Sequence, residues 1–346
     1  MKKTGHPLGL HRVIEPKGSL PQAAFKVDNT PEIYDNEILL DVEVLNITSA
    51  SFLRLKKEAG ASEESLARAV SCIIAERGKY QDPVLGSGGM LVGTVAEIGE
   101  KLTGRNDLAI GDRVATLVSL TATPLRVEKI LRINRATDQV WVKGQAVIFE
   151  RGLYARIPDD LPLEVSLAVM DVAGAPAMVA QSVKPGNTAL VIGGGKAGLL
   201  CLHEARKRAG SDGKTIAAEF SEKRCREIQA LDLADVVLNL DVTKPVDVME
   251  AISEATSGTM ADFTINVVNV ENSEMASILA TKTSGTVFFY NTATSFTKAA
   301  LGAESVGAPV KMLIGNGYVP GHAELTFRIL RENRALRRFF ESIYRK

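Results

Sequence analysis

The chain contains no run of 18 or more apolar residues, the length a membrane-crossing helix requires, so no membrane partner is expected. Residues 1–16 lack the apolar centre of a secretory signal, and the protein is expected in the cytoplasm. Net charge is also absent. The 41 Lys plus Arg match 41 Asp plus Glu, which leaves no overall field to draw in nucleic acid. Cysteine is scarce: Cys72, Cys201 and Cys225 are odd in number and far apart, a pattern of reduced thiols rather than of a disulfide framework. The same scarcity excludes a four-cysteine structural zinc site. Internal repeats and low-complexity tracts are missing, which removes solenoids and disordered arrays. Among the few histidines, His6, His203 and His322 show no partner spacing and read as structural or surface residues.

What is present is ordinary α/β material, 45% hydrophobic and 24% charged, and 346 residues suffice for two domains. Short apolar strands mark the first half: Ile38 to Leu45, Met90 to Ile98, Arg113 to Leu117 and Gln145 to Phe149. Leu66, Ala69, Val70, Ile73 and Ile74 recur at helical spacing behind Ser62 and Ser65, which predicts an inserted helix near 62–79. A second insertion, 124–143, carries no deciding pattern. From Pro162 short strands alternate with helical stretches, the signature of βαβ units and a doubly wound parallel sheet. The expected division is a β-rich domain 1–155, a parallel-sheet domain 156–310 and a C-terminal segment 311–346. The last residues are basic, but Leu330, Leu336, Phe339 and Phe340 at helical spacings point to a docked helix with a solvated face.

The segment from Thr188 to Gly210 is an apolar strand, a Gly193-x-Gly195-x-x-Gly198 loop and a helix closed by glycine. Gly193 permits the tight turn, Gly195 lets backbone approach a pyrophosphate, and Gly198 lets the helix sit close to the strand. Gly194, Lys196 and Ala197 complete the loop, whose helix N-terminus faces the anion. Glu219 ends the next strand 21 residues after Gly198, where a carboxylate accepts hydrogen bonds from adenosine ribose hydroxyls. Such a carboxylate repels a 2′-phosphate and favours NAD, although Lys223 and Arg224 stand close enough to leave NADP possible. Asn266, Asn291 and Thr292 fall at the carboxyl ends of later strands, where ligands bind in open parallel sheets; each also reads as a turn former.

Two phrases resemble the medium-chain dehydrogenase/reductase family. One is Gly93-Thr-Val-Ala-Glu97-Ile-Gly99 followed by Ile110-Gly-Asp-Arg-Val114; the other is Val183-Lys-Pro185-Gly186 leading into the glycine loop. The resemblance implies a GroES-like β-rich domain, a Rossmann domain, a C-terminal tail returning to the first domain, and association as a homodimer or homotetramer. Zinc-dependent members carry a Cys after the strand matching Val42 to Ile47 and a Gly-His-Glu before the strand containing Gly93. This chain has Thr48-Ser49-Ala50-Ser51 and Gly86-Ser87-Gly88-Gly89 there. Hydroxyls are poor zinc ligands, so no metal is expected and proton transfer falls to side chains.

Stretches at 11–18, 86–91, 171–176 and 292–296 closely resemble one branch of that family, whose members oxidatively deaminate a small diamino acid to an oxo acid and ammonia. Such a reaction needs a base, and Asp171, by its position relative to Pro185 and the loop, is the first candidate; it also reads as a helix-end acceptor. Ser49 and Ser87, at the places of the family's zinc ligands, are candidates to orient water or substrate. Glu76 and Lys79 offer both charge signs to a substrate with two ammoniums and one carboxylate. Arg12 is a candidate fork for that carboxylate, or else joins His11 and Glu15 in tying down the N-terminus. Two rival readings are a zinc-free quinone or enone reductase and a non-catalytic cofactor-binding protein.

Overall fold

Long alternating runs in the first half fold as an antiparallel sheet whose central strands are buried on both faces. The structure, a computed structural model, describes residues 3–104, 107–315 and 317–345. Its chain divides into two units, Met1–Asp171 and Val172–Lys346. In the first unit, β1 (Val13–Glu15) and β2 (Lys26–Val27) form a small ribbon beside a six-stranded sheet. That sheet contains β3 (Glu37–Ile47), β4 (Gly89–Ile98), β5 (Arg113–Thr116), β6 (Leu125–Asn134), β7 (Gln139–Phe149) and β8 (Tyr154–Arg156), in the order β6-β7-β3-β4-β5-β8. Gly93 opposes Val42 where the β3–β4 register shifts; a Cβ there would stand 2.6 Å from Asp41 O, so the bulge requires glycine. The undecided insertion 124–143 is the β6–β7 hairpin.

Two helices follow β3 where one was expected: α1 (Ser49–Ala59) and α2 (Glu63–Arg77). Ser62 caps α2 by accepting a hydrogen bond from Ser65 N–H at 3.0 Å, as its sequence position predicts. Leu66, Val70 and Ile74 of α2 enter the same core as Leu40, Leu45 and Ile47 of β3. The first unit ends with α3 (Leu163–Met170), where Gln139 Nε2 of β7 donates to Glu164 O at 3.4 Å. The boundary therefore falls after α3 rather than near residue 155.

The second unit is a fully parallel sheet. Its strands are β9 (Thr188–Ile192), β10 (Lys214–Glu219), β11 (Val236–Asn239), β12 (Ala261–Asn266), β13 (Thr281–Phe289) and β14 (Lys311–Ile314). Their order, β11-β10-β9-β12-β13-β14, reverses between β9 and β12, and that switch point opens the crevice where doubly wound sheets bind ligands. The helices are α4 (Gly174–Ser182), α5 (Lys196–Ala209), α6 (Glu222–Ala230), α7 (Pro245–Ala255), α8 (Glu274–Leu279), α9 (Phe296–Ser305), α10 (His322–Glu332) and α11 (Arg334–Tyr344). The segment 311–346 divides with this unit. Its β14 belongs to the parallel sheet, and α10 lies on α4 and α5, burying Phe327, Ile329 and Leu330.

Candidate functional site

Gly193 follows β9 at the switch point with φ +106°, a left-handed backbone that glycine adopts without strain. Its N–H donates to Ala218 O at 2.8 Å, and a Cβ would stand 2.5 Å from Val268 Cγ1 beyond β12. A Cβ on Gly198 would collide with Gly193 O, so α5 can approach the strand this closely only with glycine there. Gly195 differs from both. Its φ is ordinary, it is exposed, and a Cβ would meet nothing within 4 Å. Open space over Gly195 at the start of a 14-residue helix is the cradle a pyrophosphate needs, with the helix dipole behind it.

Glu219, half-buried at the end of β10, closes the other side of this loop. Its Oε2 accepts from Gly194 N–H at 2.6 Å and its Oε1 from Ser221 N–H at 2.7 Å. An ionised carboxylate has about four acceptor positions. Two are used here, so the group is oriented by backbone and keeps lone pairs for ribose hydroxyls. Arg224 lies across the loop: a Cβ on Gly194 would stand 2.5 Å from its Cγ and 3.1 Å from Glu219 Oε2. Lys196 and Ala197 form the first turn of α5. The residues present thus fit the pyrophosphate and adenosine ribose of a dinucleotide.

The strand-end residues separate into support and surface. Asn266 is fully buried, with Nδ2 donating to Ser277 Oγ at 2.9 Å and Ser273 Oγ at 3.0 Å, and Oδ1 accepting from Val268 N–H at 3.1 Å. It has no surface to offer a cofactor, so the expected contact is corrected to a scaffold role. Asn291 is mainly a turn former: its Oδ1 receives the N–H groups of Ala293 and Thr294, while Nδ2 donates to Asn266 Oδ1 at 3.2 Å. Thr292 remains exposed, and both its N–H and hydroxyl donate to Asn269 Oδ1. Asn269 was missed because nothing in its local sequence distinguishes it; only strand pairing places it opposite Thr292.

In the first unit three hydroxyls meet. Ser87 Oγ lies 2.8 Å from Thr48 Oγ1 and 2.5 Å from Ser51 Oγ. Thr48 precedes α1, the position where a threonine hydroxyl ordinarily caps the helix, yet it makes no cap bond and turns to Ser87 instead. Ser87 is carried by a hydrogen-bonded loop: Asp82 N–H donates to Ser87 O at 2.8 Å, and the Asp82 carboxylate receives Val84 N–H, Leu85 N–H and the Arg54 guanidinium. Burial would raise the Asp82 pKa, but Arg54 and these N–H groups overcome it and hold it below the usual range. Ser49, expected beside Ser87, is exposed at the start of α1, and buried Ser51 takes that place.

Two charged candidates are corrected. Arg12 has no exposed side-chain surface: Nε and Nη2 bond Glu37 at 2.8 and 2.6 Å, while Nη1 and Nη2 reach Thr30 O and Glu32 O at 2.8 Å. It ties down the N-terminal segment and cannot fork a substrate. Lys79 is buried, its Nζ donating to Pro21 O at 2.6 Å and Gln22 O at 3.2 Å, and burial, with Arg77 nearby, pulls its pKa down to about 8. Glu76 is exposed on α2 and does not share that environment. Asp171 is half-buried at the end of α3, its N–H bonded to Leu167 O at 3.1 Å. Among the described residues, no three His, Cys, Asp or Glu side chains gather as a metal site, and no single helix is long and apolar enough to cross a membrane.

Residues 11–158 match the family model described as the L-erythro-3,5-diaminohexanoate dehydrogenase N-terminal domain. The L-erythro-3,5-diaminohexanoate dehydrogenase of Acetoanaerobium sticklandii is 50% identical over 341 residues, covering 98% of this chain and 99% of that protein. The chain belongs to the L-erythro-3,5-diaminohexanoate dehydrogenase family. Its relative of the same name in Fusobacterium nucleatum is 49% identical over 343 residues, 99% of each chain. Among solved structures, a mycobacterial protein complexed with NADPH is similar with TM-score 0.55 at 18% identity, over 89% of this chain and 82% of that one. An alcohol dehydrogenase from Thermus sp. ATN1 is similar with TM-score 0.53 at 16% identity, over 89% and 84%. These likenesses show the medium-chain dehydrogenase/reductase fold, with its β-rich and Rossmann parts. Members of this family are oxidoreductases, and a nicotinamide cofactor agrees with the glycine loop.

Proposed function

We propose that this dehydrogenase uses NAD to deaminate L-erythro-3,5-diaminohexanoate oxidatively, giving 5-amino-3-oxohexanoate and ammonia in lysine fermentation. The observation that carries the cofactor choice is Glu219, whose carboxylate is fixed by Gly194 and Ser221 N–H groups and keeps acceptor positions for ribose hydroxyls. The substrate reading rests on the named relatives, which match over nearly the whole chain. Bound NAD supplies the hydride acceptor.

The chain's own residues must handle protons and water. The reacting ammonium has to lose a proton before its carbon can be oxidised, and we assign that step to the Asp171 carboxylate. The Thr48, Ser87 and Ser51 hydroxyls form a chain of two hydrogen bonds, so donation can run either way along it. Half-buried Ser87 is thereby suited to hold a water or the substrate amine, with buried Ser51 fixing its rotamer. Water attack at the oxidised carbon then releases ammonia. No metal is required by this scheme. The other proposed partners are further copies of the chain, as a homodimer or homotetramer, in the cytoplasm.

The test is reduction of NAD and, separately, NADP with erythro-3,5-diaminohexanoate, repeated after dialysis against a strong chelator. Turnover with NAD that survives chelation is expected. NADPH-dependent reduction of enones without amine turnover would replace this reading by an enone reductase, and dinucleotide binding without any turnover would leave a binding protein.

A further inference from the structure

Two cations follow Glu219 on α6, Lys223 and Arg224, and both reach the same carboxylate, Glu227. Arg224 Nη1 lies 2.7 Å from Glu227 Oε2, and Lys223 Nζ lies 3.9 Å from the other oxygen of the same carboxylate. The Arg224 guanidinium carbon also stands 5.4 Å from the ring centre of Phe339, on the C-terminal helix α11. Its aliphatic stem meanwhile crosses Gly194 close to Glu219. A helix pair of this spacing is weak by itself. Here it acts with an aromatic face on one guanidinium, and the two contacts draw the same group away from the ribose carboxylate.

We propose that Glu227 and Phe339 are specificity-determining residues that keep Arg224 from serving a 2′-phosphate. This rests on the reading of Glu219 as the ribose acceptor. A 2′-phosphate beside Glu219 brings extra negative charge against a carboxylate. Arg224 is near enough in sequence and space to offset that repulsion, but Glu227 already pairs with its guanidinium at 2.7 Å. The preference for the unphosphorylated dinucleotide is thus set by two carboxylates: Glu219 excludes the phosphate directly, and Glu227 withholds the Arg224 guanidinium that would accept it. Phe339 makes the C-terminal helix part of the cofactor selection.

The experiment is calorimetric titration of NAD, NADP and 2′,5′-ADP into the full-length wild type, Glu227→Gln, Phe339→Leu and the double variant Glu227→Gln with Arg224→Met. Circular dichroism confirms that each is folded. For Glu227→Gln the ratio of NADP to NAD dissociation constants is expected to fall about tenfold, with 2′,5′-ADP tightening alongside. Phe339→Leu lowers the ratio by about threefold, and adding Arg224→Met removes the gain. A ratio within about twofold of wild type in Glu227→Gln, or a gain that persists without Arg224, overturns the proposal. Wild-type protein that binds NADP as tightly as NAD overturns the Glu219 reading and this proposal with it, and does so before any substitution is made.

Discussion

Glu37→Gln removes one charge from the knot that fastens the N-terminal segment to β3, and the structure sets the size of the effect. The carboxylate accepts from His11 Nε2 and Arg12 Nε at 2.8 Å, Arg12 Nη2 at 2.6 Å and Tyr34 N–H at 2.9 Å. Burial by itself would raise its pKa; the bonds from His11, Arg12 and Tyr34, with the Arg12 charge, outweigh it and hold the carboxyl at about 2. Against the ordinary 4.5 this corresponds to about 3 kcal/mol at neutral pH, and about 2 kcal/mol after screening. The substitution also leaves buried Arg12 unpaired, so a total loss of about 3–4 kcal/mol is expected at pH 7. Because the folded pKa is depressed, this contribution is complete above the unfolded value of 4.5 and is lost as pH falls toward 2. Urea denaturation of wild type and variant should therefore show a gap that narrows by about 1 kcal/mol between pH 7 and pH 3. A gap that is constant with pH, or below about 0.5 kcal/mol, would refute the reasoning. Turnover below the unfolding transition should be unaffected, since Arg12 holds the fold and not the substrate.

Three further outcomes follow from the site and its surroundings. Gly195→Ala should leave the melting temperature within about 1 °C but weaken NAD binding at least tenfold, because its Cβ enters only the open cradle; Gly198→Ala, whose Cβ meets Gly193 O, should cost about 2–3 kcal/mol of stability in a denaturant titration. In steady-state kinetics Ser87→Ala should lower kcat by about 10- to 100-fold with NAD affinity retained, whereas exposed Ser49→Ala should change it less than about twofold. Lys79 is held neutral more readily when folded than when unfolded, so stability should rise as pH increases from about 8 to 10.5, and Lys79→Met should abolish that rise in thermal melts at fixed ionic strength.

Local chemistry made much of the fold legible. β9 and β11 run over the residues their apolar patterns predict, and Ser62 caps α2 as expected. The glycine loop was legible because backbone sterics at Gly193 and Gly198 depend on missing side-chain atoms, a property written into residue identity. Helix α1 was missed because Thr48, Ser49 and Ser51 read as turn residues. The hydroxyl group that would normally announce the cap is spent on Ser87, more than thirty residues away.

The sequence by itself determined the parallel-sheet half, the loop that receives a dinucleotide and the carboxylate that follows it, since each depends on contacts between residues near in the chain. Tertiary structure decided which polar groups are free to meet a ligand. Arg12, Lys79 and Asn266 carry the right functional groups, but Glu37, the Pro21 and Gln22 carbonyls, and Ser273 with Ser277 saturate and bury them. Ser51 enters the hydroxyl cluster, and Ser49 does not, because the first turn of α1 aims residues two apart in different directions. Hydrogen-bond saturation and burial are properties of the folded chain's neighbours, and no residue announces its distant neighbours in its own letter.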